Sequence, residues 1–154
     1  MHLAQVNIGR VLGGPDDPRL ADFYSNLARV NAMAERMPGF VWRLKNESGE
    51  SSVGLHWPGD ESMAVNMSVW ETADDLGRFV FQTVHRTIYA RKHEFFETPK
   101  QNTVAMWWVE PGHVPTIAEA KEHLDHYIAN GPSEFAFGWA DLPSAKLWQE
   151  KRCA

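Results

Sequence analysis

The feature that most limits what this chain can become is where the spacing of its apolar residues changes. Four stretches alternate at every second residue, and the segments between them repeat every three or four. A period of two makes one face of a strand apolar, and a period near 3.6 does the same for a helix. From Leu3 to Leu12, Ala4, Val6 and Ile8 point one way and Gln5 and Asn7 the other. From Phe40 to Lys45, Phe40, Trp42 and Leu44 oppose Arg43. From Met63 to Glu71, Met63, Val65, Met67 and Val69 oppose Asn66, Ser68 and Trp70. The stretch from Thr103 to Glu110 is apolar on both faces, as befits a strand inside a covered sheet.

Helical segments separate these strands. Asp17-Pro18 supplies a cap and a proline at the first helical position, and Leu20, Phe23, Leu27, Val30, Ala34 and Met37 form the apolar stripe up to Pro38-Gly39. Thr72-Ala73-Asp74-Asp75 resembles a capping box and opens a helix predicted to reach about Glu97, burying Leu76, Val80, Thr83, Val84, Thr87, Ile88 and Phe95. Thr116 caps a third helix along Ile117, Ala120, Leu124 and Ile128, which Gly131-Pro132 ends. Residues 47–62 read as a loop that Leu55, His56 and Trp57 turn into a partly ordered flap. Phe135, Phe137 and Trp139 alternate like a short edge strand.

The order strand, helix, strand, strand, helix, strand predicts an α+β, ferredoxin-like β-α-β-β-α-β sandwich over residues 1–137, with an extra C-terminal helix and an arm at 138–154. With helices on one side only, the other sheet face is left bare and apolar. A patch of that size marks an interface, so two-fold pairing into a dimeric α/β barrel, a homodimer, is expected.

Composition narrows the function classes. The 154 residues suit one domain, and a net charge of −5 argues against nucleic acid as a partner. The single cysteine, Cys153, favours a reducing, cytoplasmic setting. No secretory leader pattern opens the chain, and no apolar run approaches the ~20 residues of a membrane span, so no membrane association is predicted. Nucleophile elbows, phosphate loops and dinucleotide fingerprints are missing from the sequence.

The residues suited to chemistry gather on the polar side of the strands and on the second helix. His85 lies off the apolar stripe of its helix and shares a side with Tyr89 and Phe96. It is either an acid–base group in a pocket wall or a packed histidine satisfied by the backbone. Asn7, Asn66, Ser68 and Gln5 would lie under covering helices, where they pair with one another or position a substrate oxygen. Trp70, Trp107 and Trp108 are aromatic wall residues or core. Arg91 and Arg43 are candidates for a substrate carboxylate or for ion pairs at helix ends. His123 and His126, beside Glu119 and Glu122, have metal-like spacing but no ligand from another segment, so no metal is predicted, and they are expected to face water.

The segments His2-Leu3-Ala4-Gln5 with Asn7, Pro38-Gly39-Phe40-Val41-Trp42-Arg43-Leu44, Ser68-Val69-Trp70-Glu71, Glu94-Phe95-Phe96 with His85 and Arg91, Trp107-Trp108-Val109 and Gly112-His113 together resemble family 3291 of the domains of unknown function. The resemblance runs from about His2 to Phe137, with Phe95 where the family usually has Trp. That family is similar in pattern to the dimeric α/β-barrel superfamily of antibiotic-biosynthesis and haem-degrading monooxygenases. The resemblance implies a small-molecule pocket between helices and sheet. Its chemistry would be monooxygenase-like or isomerase/cyclase-like on a hydrophobic aromatic substrate, with no cofactor. His85, Asn7 and Tyr89 would be its catalytic residues, and Asn66, Ser68, Trp70, Arg91, Trp107 and Trp108 its substrate contacts. Two alternatives are haem binding with His85 as axial ligand and non-catalytic ligand binding.

Overall fold

The computed structural model describes residues 1–49, 51–83 and 85–142, and only the backbone of His85 and Ile88. Its strands are β1 (His2–Arg10), β2 (Phe40–Arg43), β3 (His56–Trp57), β4 (Asp60–Trp70) and β5 (Val104–Val109). Its helices are α1 (Ala21–Arg36, entered through a 3-10 turn at Pro18–Leu20), α2 (Ala73–Gln82), α3 (His85–Ala90), α4 (Lys92–Phe95) and α5 (Ile117–Asn130). The sheet order is β2-β4-β1-β5, antiparallel throughout, with β3 added to β4. This is the ferredoxin-like order, and the fold is α+β as expected.

Two apolar layers flank the sheet. On one face, Leu3, Trp70 and Met106 pack with Ala34 of α1 and with Leu76, Phe79 and Val80 of α2. On the other, Ala4, Val6, Met67, Val69 and Trp107 pack with Ala120 and Leu124 of α5 and with Trp57. This second layer corrects one expectation. The apolar sheet face is not bare: Ala4, Val6 and Met67 have no exposed surface within a single chain. The reason is that α5 folds back over β5 and β1 while the segment carrying Leu44, Leu55 and Trp57 covers β4. The apolar face on which the homodimer expectation rested is therefore covered within one chain.

Three local departures have identifiable causes. In β2, Phe40 pairs with Trp70 and Trp42 with Val69, so Val41 is a bulge. The extra residue puts Phe40 on the helix-covered face while Trp42 and Leu44 stay with the α5 layer, separating residues that strict alternation placed together. The single helix expected from Ala73 to Glu97 is three short ones. Thr83 leaves helical geometry as its hydroxyl donates to the Phe79 carbonyl at 2.6 Å. At the far end, Leu12 N–H donates to Phe95 O and Glu97 N–H to Arg10 O, both at 2.9 Å, so pairing with the chain beyond β1 stops the helix. The loop at 47–62 contains β3, and the turn at Pro58-Gly59 lets β4 begin at Asp60 rather than Met63.

The third helix and its capping box, Thr116 with Glu119, stand where the pattern put them. The expected edge strand near Phe137 is a single bridge to Met106, followed by a 3-10 turn at Trp139–Asp141. Most of the arm, with Cys153, lies outside the described residues.

Two tests follow from the joints. Gly39 sits at φ +84°, its carbonyl accepts the Glu71 N–H at 2.7 Å, and a Cβ there would collide with the Asp75 carboxylate. Gly39→Ala is expected to cost about 1–2 kcal/mol in urea unfolding. Arg10 and Asp60 join the end of β1 to the start of β4. Hydrogen bonds from Ser62 and then Arg10 pull Asp60 from 3.8 to about 2. A lowered carboxyl contributes stability above its unfolded value and loses it as pH falls towards the folded one. Unfolding followed between pH 4 and pH 2 is expected to show a shallower acid loss in Asp60→Asn than in the wild type.

Candidate functional site

The parity of the strands and the antiparallel register assemble one polar row on the face beneath α1 and α2. Leu3 pairs with Trp70, Gln5 with Ser68, and Asn7 with Asn66; Arg43 of β2 pairs with Ser68 from the other side. Gln5 Nε2 donates to Asn66 Oδ1 at 3.1 Å and to Ser68 Oγ at 2.8 Å, and Trp70 Nε1 donates to the same Ser68 oxygen at 2.9 Å. Gln5 and Ser68 are buried, Asn7 is half-buried and Asn66 is exposed. The row therefore runs from the core at Trp70 to solvent at Asn66. Buried polar groups need such partners, because an unpaired one costs several kcal/mol in an apolar setting (roughly 2–7).

Aromatic groups flank the row. Trp70 stacks on Phe79 at 5.4 Å and meets the edge of Phe40 at 5.5 Å. At the other end, Gly9 lets Phe96 approach so closely that a Cβ would lie 2.5 Å from its ring. Phe96 in turn meets Phe23 at 5.2 Å, and Phe23 meets Phe95 at 5.4 Å. An open hollow lined by Gln82, Thr83, Arg86, Thr87, Ala90 and Arg91 lies along the junction where α3 begins at His85.

The structure brings together Asn7, Asn66, Ser68 and Trp70, and corrects other members of the predicted set. Trp70 has no exposed surface, so it backs the row and orients Ser68 rather than meeting a ligand. Trp107 lies on the opposite face. Its indole N–H donates to Glu119 Oε1 at 3.2 Å, and its ring stacks on His123 at 4.4 Å. His123 is half-buried rather than open to water: it is stacked between Trp107 and Phe135, with Nδ1 2.7 Å from the Phe135 carbonyl. Trp108 shares the face of the row but sits at its rim, 41% exposed and tilted over Phe137. Arg91 lines the hollow but is engaged by Glu94 at 2.8 Å and Asp22 at 3.1 Å and lies over Phe95; the hydrogen bonds it donates to Glu94 and Asp22 raise its pKa further. Tyr89 is half-buried, edge-on to Phe81 at 6.1 Å with the Lys92 ammonium 4.5 Å above its ring. The His85 side chain lies outside the described set.

Sequence reasoning gave Arg43 too small a part. It is buried beside Ser68 and donates through Nε to Glu35 Oε1 of α1 at 2.7 Å, a bond that lowers the Glu35 pKa. The sequence signal was an arginine opposing Trp42 and Leu44 in β2; the register that sets it beside Ser68 came only with the structure. Among the described residues no three His, Cys, Asp or Glu side chains gather to hold a metal. His123 and His126 belong to α5, on the far side of the sheet from the row.

Ser68 is the point where the row is most sensitive. Ser68→Ala would leave the Trp70 indole N–H and one Gln5 N–H without their acceptor. It is expected to cost about 1–3 kcal/mol in denaturant unfolding, whereas Asn66→Ala, at the exposed end, should cost much less.

Several solved structures are similar in the path of their strands and helices. SnoaB, a cofactor-independent oxygenase from Streptomyces nogalater, has a TM-score of 0.46 at 22% identity, covering 71% of this chain and 93% of its own. The NE2512 protein of unknown function from Nitrosomonas europaea has a TM-score of 0.48 at 12% identity, covering 75% and 95%. A putative antibiotic biosynthesis monooxygenase from Chloroflexus aurantiacus J-10-fl has 0.46 at 12%, covering 74% and 98%. Similarity at this level says nothing of chemistry. No curated protein matches in sequence. The profile of DUF3291, a domain of unknown function, matches residues 2–153, well past Phe137 where the resemblance read from the sequence stops. A match over nearly the whole length makes this chain a member of the DUF3291 family.

Proposed function

We propose that this chain binds a hydrophobic, aromatic small molecule against the polar row and acts on it as a small enzyme without a cofactor, of the monooxygenase-like or isomerase/cyclase-like kind. The observation that supports this reading is the hydrogen-bonded line of Asn66, Gln5, Ser68 and Trp70 running from solvent into a face otherwise packed with aromatic rings. A small-molecule site needs this combination: apolar walls for affinity and a few fixed polar groups for orientation.

Asn7 and Asn66 stand at the open end of the row, where they would hold a substrate carbonyl or hydroxyl. His85, at the start of α3 after the break at Thr83, is the acid–base group in this reading, and Tyr89, one turn on, is its neighbour. A neutral imidazole takes a proton from an acidic C–H or O–H at pH 7 without large perturbation. Removal of such a proton is a step common to isomerisation, cyclisation and oxygenation by dioxygen.

The test begins with native mass spectrometry and an absorption spectrum of the purified protein. These read the number of copies and any retained molecule, haem included. Aromatic ketones and phenols that raise the melting temperature are then incubated with the protein in air, and the products weighed. An unchanged mass indicates isomerisation or cyclisation, and a gain of oxygen indicates oxygenation. His85→Ala is expected to lower turnover by about 100-fold or more with the melting temperature preserved. Unchanged turnover in His85→Ala would remove the acid–base role. Tight binding with no product from any compound would favour the non-catalytic alternative.

A further inference from the structure

Arg43 is the cation of the helix-covered face, and its side chain is only 8% exposed. Its three nitrogens are unequally served. Nε donates to Glu35 Oε1 at 2.7 Å and Nη2 to the Gly49 carbonyl at 2.5 Å. Nη1 is buried with no hydrogen-bond partner among the described residues. An unmet N–H on a buried charged group is more costly than one on a neutral group.

The charge around it is also unbalanced. The Glu35 carboxylate serves Arg43 and, at 3.9 Å, Lys45 as well. Among the described residues one anion thus faces two cations. Ser68, paired in register with Arg43, adds a donor. Its oxygen already accepts from Gln5 and Trp70, so its own O–H is left to give. Among the described residues the row has donors and positive charge to spare and lacks an anionic acceptor for Nη1.

We propose that Arg43 Nη1, with the Ser68 hydroxyl beside it on the sheet, is the seat for one anionic oxygen of the ligand, and that the ligand class is an aromatic carboxylate. A carboxylate carries its charge before any chemistry occurs, and a single free nitrogen suits one of its oxygens rather than a two-point clasp. This rests on the reading of the row as an aromatic ligand site.

Calorimetric titration with 2-naphthoate, its neutral counterpart 2-naphthamide, and acetate tests it. The wild type is expected to bind naphthoate at least about tenfold more tightly than naphthamide. Arg43→Lys keeps the charge and can pair with Glu35 through its single nitrogen but has nothing in the place of Nη1, so it should weaken naphthoate about tenfold and leave naphthamide unchanged. Glu35→Gln should act in the opposite direction and tighten naphthoate severalfold, which a purely structural role would not produce. If Arg43→Lys does not fold, Glu35→Gln decides alone. Equal binding of naphthoate and naphthamide, or variants that shift both probes alike, would overturn the seat and leave the aromatic site standing. Acetate binding as tightly as naphthoate, and lost in Arg43→Lys, would keep the seat and remove the aromatic site. No binding of any probe would remove both.

Discussion

The structure depends on one hydroxyl in the wrong place for a hydrophobic core. Ser68 stands near the end of β4, on the face that α1 and α2 cover, and accepts from both Trp70 and Gln5. Without it, the largest buried side chain of that layer would carry an unsatisfied indole N–H into the core. Because Trp70 is fixed by this bond, the rings of Phe79 and Phe40 have a rigid surface to pack on. Because Gln5 is fixed by it, the amide of Asn66 is held at the solvent end. One side chain thus links core packing to the polar line that reaches the surface, so a change in the core would be felt at the site.

The two faces of the sheet serve different purposes. The α5 face is filled by aliphatic and indole groups from β1, β4 and β5, with Glu119 taking the Trp107 N–H and the His113 imidazole, while Nδ1 of His2 and of His126 are buried without a partner among the described residues. The opposite face keeps Arg43, Ser68, Gln5, Asn66 and Asn7 in neighbouring register positions at a cost in desolvation. A protein selected for stability alone would replace that row with apolar residues, since a buried ionic or polar group is seldom the most stabilising choice. Its presence on one face only is the strongest argument that this face is functional.

Much of this was legible where local rules govern. Unbroken alternation fixed which side of β1 and β4 carries Asn7, Asn66 and Ser68, and the capping residues Thr72 and Thr116 marked helix starts that the structure keeps. What was not legible depends on pairing. Phe40 changes face because Val41 bulges against β4, which only the partner strand's register reveals. Trp107 and Trp108 stand on opposite faces of a strand apolar on both, so sequence alone could not divide them. The helix expected to reach Glu97 ends early because residues 95–97 bond the chain beyond β1, a contact more than eighty residues away in sequence. Arg43 was open to either a substrate carboxylate or an ion pair at a helix end, and only the pairing of β2 with β4 sets it beside Ser68.

The bulge at Val41 also has a consequence for how this chain meets others. A sheet edge is a row of unpaired backbone groups, and a long flat one invites a stranger's strand. Here β2 is four residues long and kinked by its extra residue, and β3 takes the next stretch of the same side of β4. On the opposite side, Met106 exchanges both backbone hydrogen bonds with Phe137, which blocks the middle of β5. Both borders are thereby interrupted. Backbone-templated growth into fibres or strand-swapped aggregates has little to start from, and any specific association of this protein must be written in side chains.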